Sequence, residues 1–312
     1  MDLKQIENIL AIANKGSITK AAEGLFVTQS ALNQQLLKLE KEIGLPLFER
    51  RSHSMIPTAA GQIYLDGARE ILQIKENTYK RLSDMNDDSY GTISIVYTPE
   101  RGSDMFSEVF PVFHMLYPHV RFQTRELRNK QMEQLLINKE TDLACITYTE
   151  EQKNPAFSYI GSVKEEIVLG MPASHPLARL AGENSAERLP ELDLRLLKDT
   201  DFVLAGPDTK SSDIEAEIFS IAGFHPKVLY TASGSATRIR SVRSQLACAF
   251  FPAFYIDAEA PAVYFSVQPH KHWYSTVAYR KDSYLSVPEL VLTDLIRKYN
   301  ARVSNFKDVK VM

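Results

Sequence analysis

Apolar positions in the first part of the chain recur with a helical spacing. Leu3, Ile6, Ile9, Leu10 and Ala13 form one stripe that stops at Lys15-Gly16, a cation followed by a C-cap glycine. Ile18, Ala21, Ala22 and Leu25 form a second stripe behind Ser17, a good N-cap. Ala31, Leu32, Leu36 and Leu39 form a third behind Thr28, and it runs on to Gly44. Ser17 to Leu39 thus reads as two short helices across a tight turn. Phe26 and Val27 are expected to anchor that turn, and the small Ala21 and Ala22 to admit a steep crossing, which is helix-turn-helix geometry. Gln29, Ser30, Asn33, Gln34 and Lys38 face outward, and their amides, hydroxyl and ammonium suit base edges and phosphates in a major groove. An ordinary helical hairpin with a solvated polar face fits the same pattern.

The stretch LPLFERRSHSMIPT that follows is extended and reads as a two-stranded wing. Leu47, Phe48 and Ile56 are expected to dock on the helices, while Arg50, Arg51 and His53 form a basic tip aimed at a phosphate backbone or minor groove. Thr58 caps the next element. From Ala59 to about Asp87 no proline interrupts a helical stripe containing Ile63, Ile71, Ile74, Leu82 and Met85, which predicts a helix about 43 Å long. The small N-terminal module cannot cover so long a stripe, so a second copy of the chain is expected to do so.

After the polar linker ending at Gly91, the period changes to alternating strands and helices. TISIVYT, VRFQTREL and DLACITY are strands, with helices over Ser103–Tyr117 and Lys130–Asn138 between them, which is a βαβαβ half-domain. EIVLGMP, DFVLAGP, VLYTAS and LACAFFP form a second series with helices over Ser212–Ala222 and Ala236–Ser244. YFSVQP, WYSTVAYRK and a helix over Val287–Val303 close the chain, and the last strand and helix are expected to return to the first half-domain. The expected architecture is α/β and multidomain. It consists of a winged helix-turn-helix over 1–58, a linker and dimerisation helix over 59–90, and a two-lobed α/β domain over 91–312. Lobe I spans about 91–162 and 268–312, lobe II about 163–267, and a cleft lies between them.

Ligands of open α/β sheets sit beyond the carboxyl ends of strands, near helix N-termini. That rule selects Thr98, Arg101, Arg128, Asn129, Thr147 and Tyr148 in the first lobe, and Gly206, Ser233 and Gly234 in the second. Arginines, hydroxyls and free backbone amides favour a small anion such as an organic acid.

Composition narrows the functional classes. The chain has 312 residues, 44% hydrophobic and 24% charged, enough for two or three ordinary soluble domains. Its net charge of −3 argues against binding nucleic acid by bulk electrostatics. Over residues 1–61, seven Lys and Arg stand against six Asp and Glu, so affinity per module is expected to be modest and specific binding to need at least two copies. Cys145 and Cys248 are each embedded in apolar residues, which excludes a disulfide framework and fits a reducing cytoplasm. No N-terminal signal segment or membrane-spanning run is visible, so a soluble cytoplasmic protein is expected.

No catalytic set emerges. Ser17-x-x-Lys20 spells a serine-acylase motif but lies in the helix-turn-helix. His270-x-His272 lacks a third metal ligand nearby, and Gly206-x-x-x-Lys210-Ser211 has the wrong spacing for a phosphate loop. No enzyme activity, metal or cofactor is expected. The competing classes, a solute-binding protein or an enzyme on a two-lobed fold, leave the N-terminal module as a mere assembly device.

SITKAAEGLFVTQSALNQQLLKLEKEIGLPLFERR from Ser17 and PTAAG from Pro57 resemble, almost position by position, the N-terminal motif of the LysR-type transcriptional regulators. The order of winged helix-turn-helix, long helix and two α/β lobes resembles that family over essentially the whole chain. The resemblance implies a sequence-specific DNA-binding regulator, a homodimer or homotetramer built through the long helix. Such a regulator binds double-stranded promoter DNA and works with RNA polymerase. Its contacts change when a small molecule enters a periplasmic-binding-protein-like effector domain. Carried onto matching positions, Gln29, Ser30, Asn33 and Gln34 are the base-reading candidates. Lys38, Arg50, Arg51 and His53 are phosphate candidates, and Ser17, Thr19 and Thr28 are candidates for the backbone at helix N-termini. The chain departs from the family pattern at Ser30, where proline is common, and at Asn33, where serine is usual. The wing is also less basic than is common. Gln245-Leu246-Ala247 replaces a usual G-x-G, which is expected to make the pocket wall bulkier.

Overall fold

The computed structural model describes residues 2–51, 54–85, 91–182, 189–207 and 209–304. The chain separates into two compact units, Met1–Asn86 and Asp87–Met312.

In the first unit, α1 (Leu3–Lys15), α2 (Ile18–Leu25) and α3 (Gln29–Ile43) each start where a side chain accepts from an otherwise orphaned amide. Asp2 takes the amide of Gln5, Ser17 that of Lys20 and Thr28 that of Ala31. Ile6, Ile9, Ile12, Leu32 and Leu36 are almost wholly enclosed at the crossing of these helices. Phe26 is not the expected anchor. It ends α2 in the left-handed conformation and is 96% exposed. The chain reverses there, and the turn closes through the amide of Val27 on the carbonyl of Ala22 at 3.1 Å.

β1 (Phe48–Arg51) and β2 (Ser54–Pro57) form the wing, with Phe48 opposite Pro57 and Arg51 opposite Ser54. Glu40 of α3 accepts from the amides of Leu47 and Phe48, at 2.7 and 3.2 Å, and so ties the hairpin to the helix. Leu47, Phe48 and Met55 are buried, whereas Ile56, expected to dock, faces out. Successive strand residues point to opposite faces, so Met55 takes the inner position that Ile56 loses. α4 (Ala59–Ser83) starts at Thr58, whose hydroxyl accepts from the amide of Gly61. Its 25 residues span about 37 Å. Leu65 and Ala68 join the core, while Ile63, Ile74, Tyr79, Leu82 and Met85 remain exposed. The helix ends at Ser83, short of the end expected near Asp87, which itself lies outside the described residues.

In the second unit, β3 (Gly91–Tyr97), β4 (Val120–Glu126) and β5 (Leu143–Tyr148) run parallel, linked by α5 (Arg101–Leu116) and α6 (Asn129–Ile137). The closing strand β12 (His272–Arg280) pairs antiparallel with β5, and the closing helix α9 (Val287–Ser304) packs with α5 on one face of the sheet through Leu292, Ile296, Met105 and Phe113. α6 covers the other face through Met132 and Leu136. Residues such as Ile95 and Val96 are therefore both buried, which is why these strands read as continuous apolar runs.

EIVLGMP is not a strand of its own. It is the second half of β6 (Phe157–Pro172), whose first half pairs with β12 in lobe I. Near Gly161 the register with β12 slips. This residue has φ 63, and a Cβ there would meet the side chain of Arg297, so glycine serves both the backbone and the packing. From Ile167 onward β6 pairs with β10 (Ala249–Pro252) and β11 (Ala262–Val267), and β11 pairs in turn with β7 (Glu191–Leu192). β8 (Asp201–Ala205) and β9 (Lys227–Ala232) are parallel, and a bridge between Phe202 and Cys248 joins them to this sheet. α7 (Lys210–Ala222) covers one face through Ile214, Ile218 and Phe219, and α8 (Ser235–Arg243) the other through Ile239 and Val242. No helix among the described residues is long and apolar enough to cross a membrane.

Candidate functional site

Two surfaces carry the residues singled out in the sequence. On the first unit, Gln29, Ser30, Gln34 and Lys38 are exposed along α3, with Asn33 half-buried among them. Arg50 and Arg51 are exposed on the wing, and Thr19 on the first turn of α2. Asn33 and the wing are in direct contact, since Arg50 Nη2 donates to Asn33 Oδ1 at 2.7 Å. Arg51 lies 3.5 Å from Glu49, with both side chains well exposed. The hydroxyls of Ser17 and Thr28 already serve as helix caps, and Thr28 also lies 3.2 Å from the Ser30 hydroxyl. His53 lies outside the described residues.

In the second unit, a cavity of about 390 Å³ opens where the strand ends of lobe I face the N-termini of α7 and α8. Thr98, Arg101, Arg128, Asn129, Thr147, Ser233 and Gly234 line it. Asn129 links α6 to β5 by accepting from the Thr147 amide at 3.2 Å and donating to the Thr147 hydroxyl at 2.5 Å. Arg128 reaches across the cleft, its Nη2 donating to the Ser233 hydroxyl at 3.2 Å.

Three expected members have other employment. Arg101 forms a two-pronged pair with Glu165, both bonds 2.6 Å, and stacks 4.3 Å over the Phe254 ring. Burial opposes its charge, but the Glu165 carboxylate more than compensates and raises its pKa above the usual value. Its guanidinium is thus committed within the protein and is not free for an anion. Tyr148 does not line the cavity. Its ring is buried against Tyr274 and Tyr159, and its hydroxyl donates to Ser162. The carboxyl-end rule selects it, but alternation along β5 turns it to the opposite side from Thr147. Gly206 offers no free amide, since its N–H donates to the Ala232 carbonyl at 3.0 Å.

Several lining residues escaped the sequence reading. Lys130 lines the cavity. Lys210, at the start of α7, sends its ammonium across to Glu133 at 2.9 Å and to the Thr147 carbonyl at 2.6 Å. Ser211 and Ser235 lie in the first turns of α7 and α8, where extending the helix-terminus rule by one turn would have found them. Glu100 stands between Thr98 and Arg101. Tyr255 and Trp273 come from distant chain, and no local pattern marked them. Burial pushes the Tyr255 phenol up to about 12, so it meets the cavity as a neutral hydroxyl. Trp273 Nε1 donates to Glu165 at 2.9 Å.

Gln245-Leu246-Ala247 contributes nothing to this cavity's wall. Gln245 adopts φ 61 itself, and its side chain accepts from the Ser174 amide and donates to the Pro261 carbonyl, so a bonded glutamine takes a conformation usual for glycine. Burial pushes the thiols of Cys145 and Cys248 up to about 12, although Cys145 keeps intermediate exposure. Among the described residues no cluster of three His, Cys, Asp or Glu is placed to hold a metal.

Known proteins match both units. The model of the bacterial regulatory helix-turn-helix protein, lysR family, matches residues 3–62, and that of the LysR substrate binding domain matches residues 86–301. YcgK of Bacillus subtilis, described as an uncharacterized HTH-type transcriptional regulator, is 24% identical over 308 residues, covering 96% of this chain and 94% of its own. YwbI of the same bacterium, described likewise, is 29% identical over 290 residues, covering 92% of each. Full-length OxyR C199D from Pseudomonas aeruginosa shares the fold with a TM-score of 0.67 at 21% identity, covering 95% of each chain. Full-length CbnR complexed with its target DNA does so with a TM-score of 0.52 at 18% identity, covering 96% of this chain and 99% of that one.

Proposed function

The chain belongs to the LysR family of bacterial transcriptional regulators, DNA-binding proteins with an effector-binding domain, and from that premise we propose how its own residues divide the work. Residues 1–58 read promoter DNA through α3 and the wing, residues 59–90 hold copies of the chain together, and residues 91–312 bind the effector. Gln29, Ser30, Asn33 and Gln34 face base edges, while Lys38, Arg50 and Arg51 face phosphates. Thr19 and the cap hydroxyls of Ser17 and Thr28 approach the sugar–phosphate backbone. The exposed apolar residues of α4 pack against a second copy, giving a homodimer or homotetramer that spans a partly symmetric site.

The effector is a small organic acid. Arg128 and Lys130 supply its positive charge, and Thr98, Thr147, Ser233 and Ser235 supply hydroxyls. Arg101 holds lobe I to Glu165 and Trp273 and acts by position. Binding of the acid alters promoter contacts and, through them, RNA polymerase, in the cytosol where the chromosome lies.

One observation carries this reading. A single chain bears both an exposed amide, hydroxyl and lysine face and a walled cavity that mixes apolar surface with hydroxyls and has cations at its rim. A gel-shift titration on the DNA flanking the protein's own gene, at fixed salt and with a panel of organic acids, tests it. Saturable, competitor-resistant binding whose pattern shifts with one acid is expected. Failure to bind any fragment of a genome-wide pool would remove the DNA-reading role.

A further inference from the structure

We propose that Glu100 is a built-in carboxylate ligand of the cleft, occupying from lobe I the place on α8 that an effector's acid group takes when it displaces it. The proposal rests on the reading of the cavity as the effector site.

Glu100 stands at the N-cap of α5 yet makes no side-chain cap for its own helix. Its Oε2 instead accepts from the amide of Ala236, in the first turn of α8 in the other lobe, at 3.1 Å. Its backbone has φ 64 and ψ −99, a region that residues with a side chain rarely adopt. Such strain persists only where the surroundings hold it. Across the gap stands Gly234, the N-cap of α8, and Glu100 Oε1 lies in the space that a Cβ at this position would take. The carboxylate thus lies directly against the start of α8, whose first-turn amides carry partial positive charge.

The charges around it point the same way. Arg101 is paired with Glu165, Lys210 with Glu133, and Arg128 donates to Ser233. The acid of Glu100 engages an amide at the start of α8 directly, beside the Arg128 contact with Ser233. An incoming carboxylate replaces it like for like, whereas a neutral ligand leaves the α8 amide without its anion. Displacement also breaks one tie between the lobes, and wild-type affinity for acids is lowered by the competition.

The chain contains one tryptophan, Trp273, and it lines the cavity, so its fluorescence reports entry. Full-length wild type, Glu100→Gln and Glu100→Gly are titrated with acetate, succinate and benzoate, and with acetamide, succinamide and benzamide, at constant ionic strength. Glutamine keeps the volume and removes the charge. Glycine removes the side chain and relieves the backbone, so its folding is not at risk. Both variants are expected to bind at least one of the acids roughly tenfold tighter than wild type, the scale of one charge-assisted hydrogen bond, with no such gain for the matching amide. Equal acid affinity in all three proteins overturns the ligand role and leaves the cavity as the effector site. Tightening in Glu100→Gly alone, or equally for acid and amide, assigns the effect to shape and also overturns it. Silence of Trp273 to every probe in all three proteins overturns both this proposal and the effector reading.

Discussion

On α3 and the wing the polar side chains point outward, and Gln29, Gln34, Lys38, Arg50 and Arg51 are all exposed. Around the cleft the same chemical types turn inward and bond to one another, Arg101 to Glu165, Lys210 to Glu133 and Asn129 to Thr147, while the exposed Arg128 reaches Ser233 at the rim. A surface that meets a large, charged, solvated partner can leave its polar groups in water until the partner arrives, at little cost to the fold. A cleft enclosed by two lobes cannot, because a buried polar group without a partner costs free energy and a buried charge costs more. Polar residues in the first region therefore belong to recognition, whereas many in the second belong first to stability.

The largest effect that comparison predicts is on stability at the cleft. Replacing Arg101 by methionine leaves the Glu165 carboxylate, only 2% exposed, without its guanidinium. A loss of about 3–5 kcal/mol is expected, read from urea unfolding of the full chain. Because Trp273 donates to the same carboxylate, its emission should shift in the folded variant. Adding Glu165→Gln keeps an acceptor for Trp273, removes the stranded charge and should recover most of the loss. A cost below about 1 kcal/mol would put this pair among exposed ion pairs and dissolve the contrast between the regions.

The same contrast decides how far the residue pattern alone could reach. Helix caps at Ser17, Thr28 and Thr58, the wing hairpin and the βαβαβ order depend on local spacing, and they could be read from it. The fate of Phe26 could not, because the pattern shows an apolar residue at a turn but not the left-handed backbone that turns it outward. For β6 the limit was different. Its two halves border different lobes, so an apolar run in the middle of one strand resembles a new strand. In the cleft the local rule found strand ends and helix starts, and so reached Thr98, Arg128, Asn129 and Ser233. It could not tell an arginine available to a ligand from one engaged 64 residues away. Nor could it find Trp273 and Tyr255, which tertiary packing alone brings to the cavity.

On the reading surface the expected effects fall on binding and spare stability. Arg50→Ala together with Arg51→Ala should weaken binding to all DNA sequences by roughly tenfold at moderate salt. The slope of log affinity against log salt should fall by about 0.9 for each phosphate that is no longer neutralised. Unfolding should change by no more than about 0.5 kcal/mol, since neither side chain is enclosed. Fluorescence anisotropy at several salt concentrations, on specific and scrambled duplexes, provides the measurement. A loss confined to the specific duplex would move these arginines from phosphate binding to base reading.

The smallest effect, the coupling between Asn33 and Arg50, is the most informative about where the two regimes meet. Asn33 is half-buried on α3 and holds Arg50 at 2.7 Å, so beside the more open Arg51–Glu49 and Thr28–Ser30 contacts the reading surface contains a pairing of the kind found in the cleft. If Asn33 reads bases, Asn33→Ala relaxes preference at particular positions in a panel of single-base operator variants, each by about 1–3 kcal/mol at most. If Asn33 also sets the wing, its loss and that of Arg50 are not independent. A double-mutant cycle on binding should then give a coupling of about 0.5–1 kcal/mol. Additivity within about 0.3 kcal/mol, with relaxed preference, would show the bond gives way when DNA binds and leave the whole face open to its partner. Coupling without relaxed preference would make Asn33 a support for the wing and pass the reading of bases to Gln29, Ser30 and Gln34.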